Sequence, residues 1–348
     1  MLQEKLQKFD RQMRLKKLIF FVIAVFAIPC LSGDYGAAFL EIGVGAEALS
    51  MGGAYCSIVK DGTAFYWNPS GLGLIKHRIL SGMYGQQFGS IQNPYGQLHY
   101  AGFVQPLSGH AAIAFNWIRF SVDDIPEYPD LEGESLQDRL YHPSLRPSGN
   151  PVGYFSDTED AFFFSFAKML TSQFNMGWNY QDVRIDVPVG VNFKYIRQSL
   201  YKNEASGMGL DLGAMVRIHF SDLLVSDEFG IFSFGINLQD FTTTHLKWDT
   251  RHEDNIPVNV KWGISYQQPL PFSKHHLIFA FDRDTRWHQD RHFGFGYTAF
   301  GCLGLRIGLH GKNLTGGAGI RIWRVGVDYA FLTHEITHLH RISCDLRL

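Results

Sequence analysis

From Val258 to Gln267 apolar and polar side chains alternate without an error. Val258, Val260, Trp262, Ile264 and Tyr266 fall on one face, and Asn259, Lys261, Gly263, Ser265 and Gln267 on the other. A side-chain period of two belongs to an extended strand, and a split this clean means that its two faces meet different environments. The pattern recurs: Phe232, Phe234, Ile236 and Leu238 oppose Ser233, Gly235 and Asn237, and Leu303, Leu305, Ile307 and Leu309 oppose Gly304, Arg306, Gly308 and His310. It recurs again at the end of the chain, where Ile342, Cys344, Leu346 and Leu348 oppose Arg341, Ser343, Asp345 and Arg347.

Fourteen such segments can be marked: residues 77–88, 96–107, 110–122, 159–170, 186–201, 206–220, 229–241, 257–269, 275–286, 291–300, 303–311, 315–322, 324–332 and 337–348. Only Trp323 separates 315–322 from 324–332, so one long strand competes there with two short ones. An even number of membrane-length strands is what a closed bacterial barrel requires. Such barrels alternate short periplasmic turns with longer outer loops. If the first strand runs outward, the outer connections are 89–95, 123–158, 202–205, 242–256, 287–290, 312–314 and 333–336, which include the two longest. Inward turns near Pro106–Gly109, Pro269–Lys274 and Gly301–Cys302 are tight, whereas 171–185 and 221–228 are long for inward turns. Segment 123–158 reads as loop throughout, with five prolines and the run Asp157-Thr158-Glu159-Asp160.

A soluble β-sandwich also alternates, but it would rarely need fourteen strands, and its solvent face favours Lys, Glu and Thr. Here the polar face is dense in Gly mixed with Arg and Asp, which suits the crowded interior of a barrel. The expected fold is therefore all-β: a transmembrane antiparallel β-barrel of about fourteen strands over residues 77–348.

The longest apolar run, Leu18 to Ile28, is eleven residues, short of the ~20 that a helix needs to span a bilayer. Arg14, Lys16 and Lys17 precede it, and Pro29, Ser32 and Gly33 follow it, the layout of a secretory signal over residues 1–33. Met13 would itself open a signal of ordinary length; a lipid-anchored Cys30 is disfavoured because Pro29 sits where a small residue is expected. Removing residues 1–32 takes away six basic and two acidic side chains, leaving 25 against 31 and a formal charge of −6. A net acidic chain without a basic cluster argues against nucleic-acid partners. Cys56, Cys302 and Cys344 remain, an odd number without CxxC spacing, and read as packing residues.

Residues 34–76 carry a different text: Gly43-Val44-Gly45-Ala46-Glu47-Ala48-Leu49-Ser50-Met51-Gly52-Gly53-Ala54-Tyr55, then Asp61, then Trp67-Asn68-Pro69-Ser70-Gly71-Leu72. This reads as a short small-residue helix, a close-packed Gly turn and an Asn-Pro turn, a segment able to pack inside something narrow. Gly43, Gly45 and Ala48 do not make a dinucleotide site, because no βαβ unit surrounds them.

The runs at 45–54 and 67–72, together with Tyr195–Leu200, Ile256-Pro257, Asp328–Phe331 and His340–Ser343, resemble the PorV/PorQ family of outer-membrane proteins, related to the long-chain fatty-acid transporter barrels. Ser70 and Glu47 stand where the family pattern has Ala and a basic residue, and the 123–158 loop is expanded, so ligand preference does not transfer. The resemblance implies a fourteen-strand barrel in the cell outer membrane, both termini in the periplasm, and the N-terminal segment lying in the lumen as a partial plug. It also implies either passage of hydrophobic compounds or a part in type nine secretion. Gly45, Met51, Gly52, Gly53, Asn68, Pro69 and Gly71 are the expected plug or gating motif.

No constellation for catalysis emerges. His338 and His340 share a face close to His334 and Glu335, but a metal site needs further ligands, and exposed rim residues are the plainer reading. The same holds for His275, His276, His288 and His292. Asp123 and Asp124 start an exposed loop, while Asp282 and Asp284 face inward near the end of a strand, where a salt bridge is expected. Alternation turns Asn192, Lys194, Asp211, Arg217, Asn259, Lys261, Asp282, Arg306, Arg321 and Asp328 toward the lumen, alongside Asn237 and Gln267. With both signs present in similar number, they do not make a strongly selective ion filter. The expectation is a non-enzymatic barrel without cofactor or metal, partnered by the lipid bilayer, that passes or binds a small hydrophobic compound. Its rival is a scaffold partnered by secretion-system components.

Overall fold

The computed structural model describes residues 36–89, 94–128, 135, 150–175, 182–272, 274–286, 291–334 and 337–348. The expected signal peptide, residues 1–33, lies outside them. Among the described residues there are sixteen strands, in chain order β1 (Ile79–Gly89), β2 (Pro94–Leu107), β3 (Ala111–Glu127), β4 (Gly153–Asn175), β5 (Asp182–Leu200) and β6 (Asn203–His219). They continue as β7 (Ile231–Gln239), β8 (Thr244–Trp248), β9 (Glu253–Ile256), β10 (Asn259–Pro269) and β11 (His276–Asp284). The last five are β12 (Arg291–Ala299), β13 (Leu303–His310), β14 (Asn313–Ile322), β15 (Val325–Leu332) and β16 (Leu339–Arg347).

Fourteen of these form one closed antiparallel ring. Each pairs with its neighbour in sequence, β7 passes directly to β10, and β1 pairs with β16 from Ile79↔Arg347 to Gly85↔Arg341, which closes the cylinder. The remaining two, β8 and β9, form a hairpin standing on the upper part of β6, where Ala205 pairs with Trp248.

The burial pattern is inside out relative to a soluble protein. Large apolar side chains such as Phe115, Phe164, Phe279, Leu305 and Ile307 lie exposed on the outer face, with Ile307 at 50%. Their alternate neighbours point inward and are buried. Such an outer face is stable only against lipid, and a closed ring is the one sheet arrangement that leaves no unpaired edge there. Exposed Phe272, Phe300 and Trp323 mark the end at which β1 begins and β16 finishes, as an aromatic girdle does at a membrane interface, while exposed Tyr95, Tyr128, Tyr154 and Tyr201 lie at the opposite end. The two longest connections, 127 to 153 and 239 to 259, both lie at the opposite end. That end faces outward from the cell and the end with Trp323 faces the periplasm, the orientation of a bacterial outer-membrane barrel.

Several boundaries differ from expectation. Segment 123–158 is not loop throughout: β3 continues to Glu127 and β4 begins at Gly153, so the acidic run 157–160 lies in a strand. A bulge between Val122 and Ile125, with Asp124 at φ 56°, absorbs the two aspartates without ending the pairing. The long inward connection at 171–185 shrinks for the same reason, since β4 and β5 remain paired as far as Asn175↔Asp182. Segment 221–228 holds a short helix, Phe220–Leu224. Trp323 at φ 54° makes a tight turn that pairs Ile322 with Val325, so 315–332 is a hairpin and not one strand. At about 3.3 Å per residue the 23-residue β4 is ~75 Å long, against about 30 Å of hydrocarbon, so β3 to β6 extend well past the bilayer.

Candidate functional site

Residues 36–76 thread the inside of the ring. Gly36 starts at the outward end, beneath Leu246 and Ile256 of the β8–β9 hairpin, and the chain leaves at the periplasmic end, where Arg78 O accepts from Leu348 N at 2.9 Å. The described start of the plug is therefore at the outer mouth, whereas the resemblance implied a periplasmic one. Two short helices, Ala46–Ser50 and Ala64–Trp67, and a 3₁₀ turn, Pro69–Leu74, fold this segment back on itself. Water reaches it from both ends, at Ala38 and Glu41 from outside and at Lys60 from the periplasm. Between them nearly every residue of 43–59 and 62–73 is buried.

The motif residues have definite places in this packing. Gly45 sits at φ 88°, and a Cβ there would lie 2.7 Å from Thr63 Cγ2. Gly52 and Gly53 turn the chain at φ 68° and 79°. The Met51 side chain lies against Gly294 and Gly296, and Gly71 passes Val59 so closely that a Cβ would meet its carbonyl oxygen at 2.5 Å. Asn68 accepts from Ser70 N at 3.1 Å and donates to Cys56 O at 2.9 Å and Ala214 O at 3.1 Å, joining both arms of the plug to the wall. Pro69 opens the 3₁₀ turn, where its missing N–H costs nothing.

The dense glycine of the inner face has its explanation here. A Cβ on Gly308 would stand 2.3 Å from Gly52 N, one on Gly190 2.4 Å from Pro69 C, and one on Gly235 2.5 Å from Cys56 O. Wall and plug meet backbone to backbone, which side chains at these positions would prevent.

Polar contacts then fix the plug. Asp282, 2% exposed, accepts from Tyr55 N at 2.7 Å and Cys56 N at 2.6 Å through one oxygen. Asn192 donates to Phe65 O at 2.6 Å and Asn237 to Trp67 O at 3.0 Å. Arg306 pairs with Glu47 of the plug at 3.0 Å and Asp328 of the wall at 2.7 Å. Lys261 pairs with Asp284 at 3.3 Å and lies over the rings of Tyr66 and Trp67. Lys194 bridges Asp211 at 2.9 Å and Asp240 at 2.8 Å, Asn259 donates to Asp284 at 3.1 Å, and Arg321 pairs with Asp345. Arg217 stands directly across from Asp186 on the neighbouring strand. Of the ten lumen residues chosen by alternation, most thus bond to the plug or to one another instead of lining an open channel. Within the plug, burial raises the Asp61 carboxyl above the ordinary aspartate range, with Glu47 adding to it, while Thr63 and Tyr55 donate to it.

Some features were not legible beforehand. His292 is no rim residue: it is buried, with Nδ1 2.7 Å from Gly52 O. Its even spacing from Gly294 on β12 was the available signal. The plug's aromatic cluster was also missed: Phe65 packs on Tyr100 and Phe163, and Tyr66 and Trp67 meet edge to face. Near the periplasmic mouth a hollow of about 450 Å³ is lined by the inward-facing His219, Gln267 and His276 and by the turn at Phe272. No group of metal-binding side chains occurs among the described residues. His338 and His340 both pack on Phe331.

The fold and the filled lumen together define a fourteen-strand, plugged outer-membrane β-barrel. A scan against protein-family models gives no match, and a search of curated proteins gives none either. Among solved structures the chain is similar to the P. putida toluene transporter TodX, at 10% identity and TM-score 0.48 over 88% of this chain and 99% of that one. It is also similar to the Ralstonia pickettii toluene transporter TbuX, at 14% identity and TM-score 0.43 over 88% and 98%. A third is the CymD monoaromatic hydrocarbon channel, at 10% identity and TM-score 0.38 over 88% and 98%. At such values the likeness is one of fold, and the fold follows from the strand pairings themselves.

Proposed function

We propose that this chain is a non-enzymatic outer-membrane barrel that passes or binds a small hydrophobic compound, with residues 34–76 as its gate. The supporting observation is the content of the lumen. Phe39, Tyr55, Phe65, Tyr66 and Trp67 of the plug pack with Met83, Leu98, Tyr100, Ile118 and Phe163 of the wall into one apolar core inside the ring. A plug held by separate hydrogen bonds and ion pairs, and not by added strands of the sheet, can shift without opening the barrel. The space it vacates would be walled by apolar and aromatic groups, a path suited to an apolar solute. Liposome flux of an aromatic hydrocarbon through the purified barrel, with and without residues 34–75, tests this. Faster flux in the shortened form is expected, and no flux in either form, with the ring still folded by heat-modifiable electrophoretic migration, refutes it.

The PorV/PorQ resemblance supports a second reading, a scaffold for exported proteins, and the height of β3 to β6 favours it. Their outward ends carry exposed Tyr128, Val152, Tyr154 and Tyr201, a surface beyond the membrane. It predicts stable co-purification with secreted cargo or secretion components after mild cross-linking, and recovery of the barrel alone would count against it.

A further inference from the structure

On the outer faces of β10 to β14, the described residues carry only two charged side chains. Arg283 of β11 and Arg291 of β12 are direct cross-strand partners. Both point outward, because their neighbours Asp282 and His292 point inward to the plug, and both are exposed. Like charges placed directly opposite destabilise a sheet unless something neutralises them. Neither arginine has an acidic partner among the described residues. Exposed Lys312, in the turn after β13, adds a third charge beside them, since Gly311 N donates to Arg291 O at 3.0 Å.

Two residues further along the same outward face the surface becomes wholly apolar. Phe281, Phe293 and Leu309 open a groove of about 590 Å³ that continues over Phe279, Phe295 and Ile307, within the ~300–1,000 Å³ that encloses a drug-sized ligand. Its floor is the backbone of Ala280, Gly294 and Gly308. The arginines stand at the outward end of this groove, at the outer membrane interface.

We propose that this face binds a net-anionic, phosphate-bearing, acylated lipid of the outer leaflet, with its phosphate on Arg283, Arg291 and Lys312 and an acyl chain in the groove. Paired guanidinium groups match phosphate oxygens in geometry as well as charge. The groove supplies what a free anion would not need. The site is separate from the plug and does not depend on what the lumen passes.

The test is native mass spectrometry of the full chain in neutral detergent, titrated with diphosphorylated lipid A, with phosphatidylcholine and with inorganic phosphate. Lipid A is expected to bind in preference to phosphatidylcholine. Arg283→Gln/Arg291→Gln should lower its apparent affinity at least about tenfold, and Ile307→Trp, which fills the groove and keeps the charges, should lower it too. Heat-modifiable migration verifies that each variant is folded. Unchanged lipid A binding in the double arginine variant, equal binding of phosphatidylcholine, or full competition by inorganic phosphate overturns the proposal.

Discussion

Asp282→Ala isolates the seat of the plug. One carboxylate oxygen holds two consecutive backbone amides, Tyr55 N at 2.7 Å and Cys56 N at 2.6 Å, where no water reaches. A hydrogen bond contributes about 0.5–1.5 kcal/mol between neutral groups and about 1.5–3 kcal/mol to a charged one, so losing both removes roughly 1–6 kcal/mol from the seated state. At about 1.4 kcal/mol per decade, the ratio of seated to released plug falls by roughly 5-fold to 10⁴-fold. The ring is spared, because the register that sets Asp282 opposite Gly263 and His292 is a pairing of backbones that alanine keeps. Cys56 is the natural reporter, 0% exposed in the seated plug. With Cys302 and Cys344 replaced by Ser, and Cys30 too if it is retained, maleimide labelling of Cys56 reads the released fraction. Asp282→Asn, which keeps a neutral acceptor, should fall between the parent and the alanine variant. A labelling rate in Asp282→Ala within about threefold of the parent, well under one decade, would show that the amides do not hold the plug.

Three other perturbations probe the same arrangement. Gly308→Val places a Cβ 2.3 Å from Gly52 N, an overpacking cost of about 1–3 kcal/mol or more. It should raise Cys56 labelling, whereas Gly316→Val, whose Cβ meets nothing nearer than 3.7 Å, should not. Lys194→Met leaves Asp211 and Asp240 buried and facing each other, and breaking such a pair costs about 3–5 kcal/mol. The denaturant midpoint should drop, and adding Asp211→Asn/Asp240→Asn should recover part of it. Burial raises the Asp61 carboxyl in the seated plug, so its contribution to seating is fullest below the ordinary aspartate range and is lost as pH rises through the elevated value. Protease release of the plug should quicken from acid toward neutral pH, and Asp61→Asn should flatten that dependence.

The strands were legible because their information is local. Alternation at 303–309 or 258–267 needs only the period of an extended chain, and it turned Lys194, Asp282 and Arg306 inward without reference to anything distant. The β8–β9 hairpin was not legible: Thr244–Ile256 is short, rich in charge and keeps no apolar face long enough to show a period. What holds it is pairing with the outward end of β6, Ala205↔Trp248 and Ser206↔Lys247, with Leu246 and Ile256 lying over Gly36 of the plug. The bulge at Asp124 hid the ends of β3 and β4 in the same way, because one extra residue reverses the faces that alternation assigns.

By itself the sequence determined fourteen two-faced strands, an apolar outer wall and a glycine-rich inner one, since each depends on side chains a few residues apart. Only the tertiary structure decided what the inner wall faces. Asp282 meets Tyr55 across 227 residues of chain and Asn192 meets Phe65 across 127. No local pattern encodes which inward residue will meet the plug's backbone. Ring closure by β1 and β16 sets those meetings. Through them, an inner face that could have lined a water-filled pore becomes the seat of a packed plug.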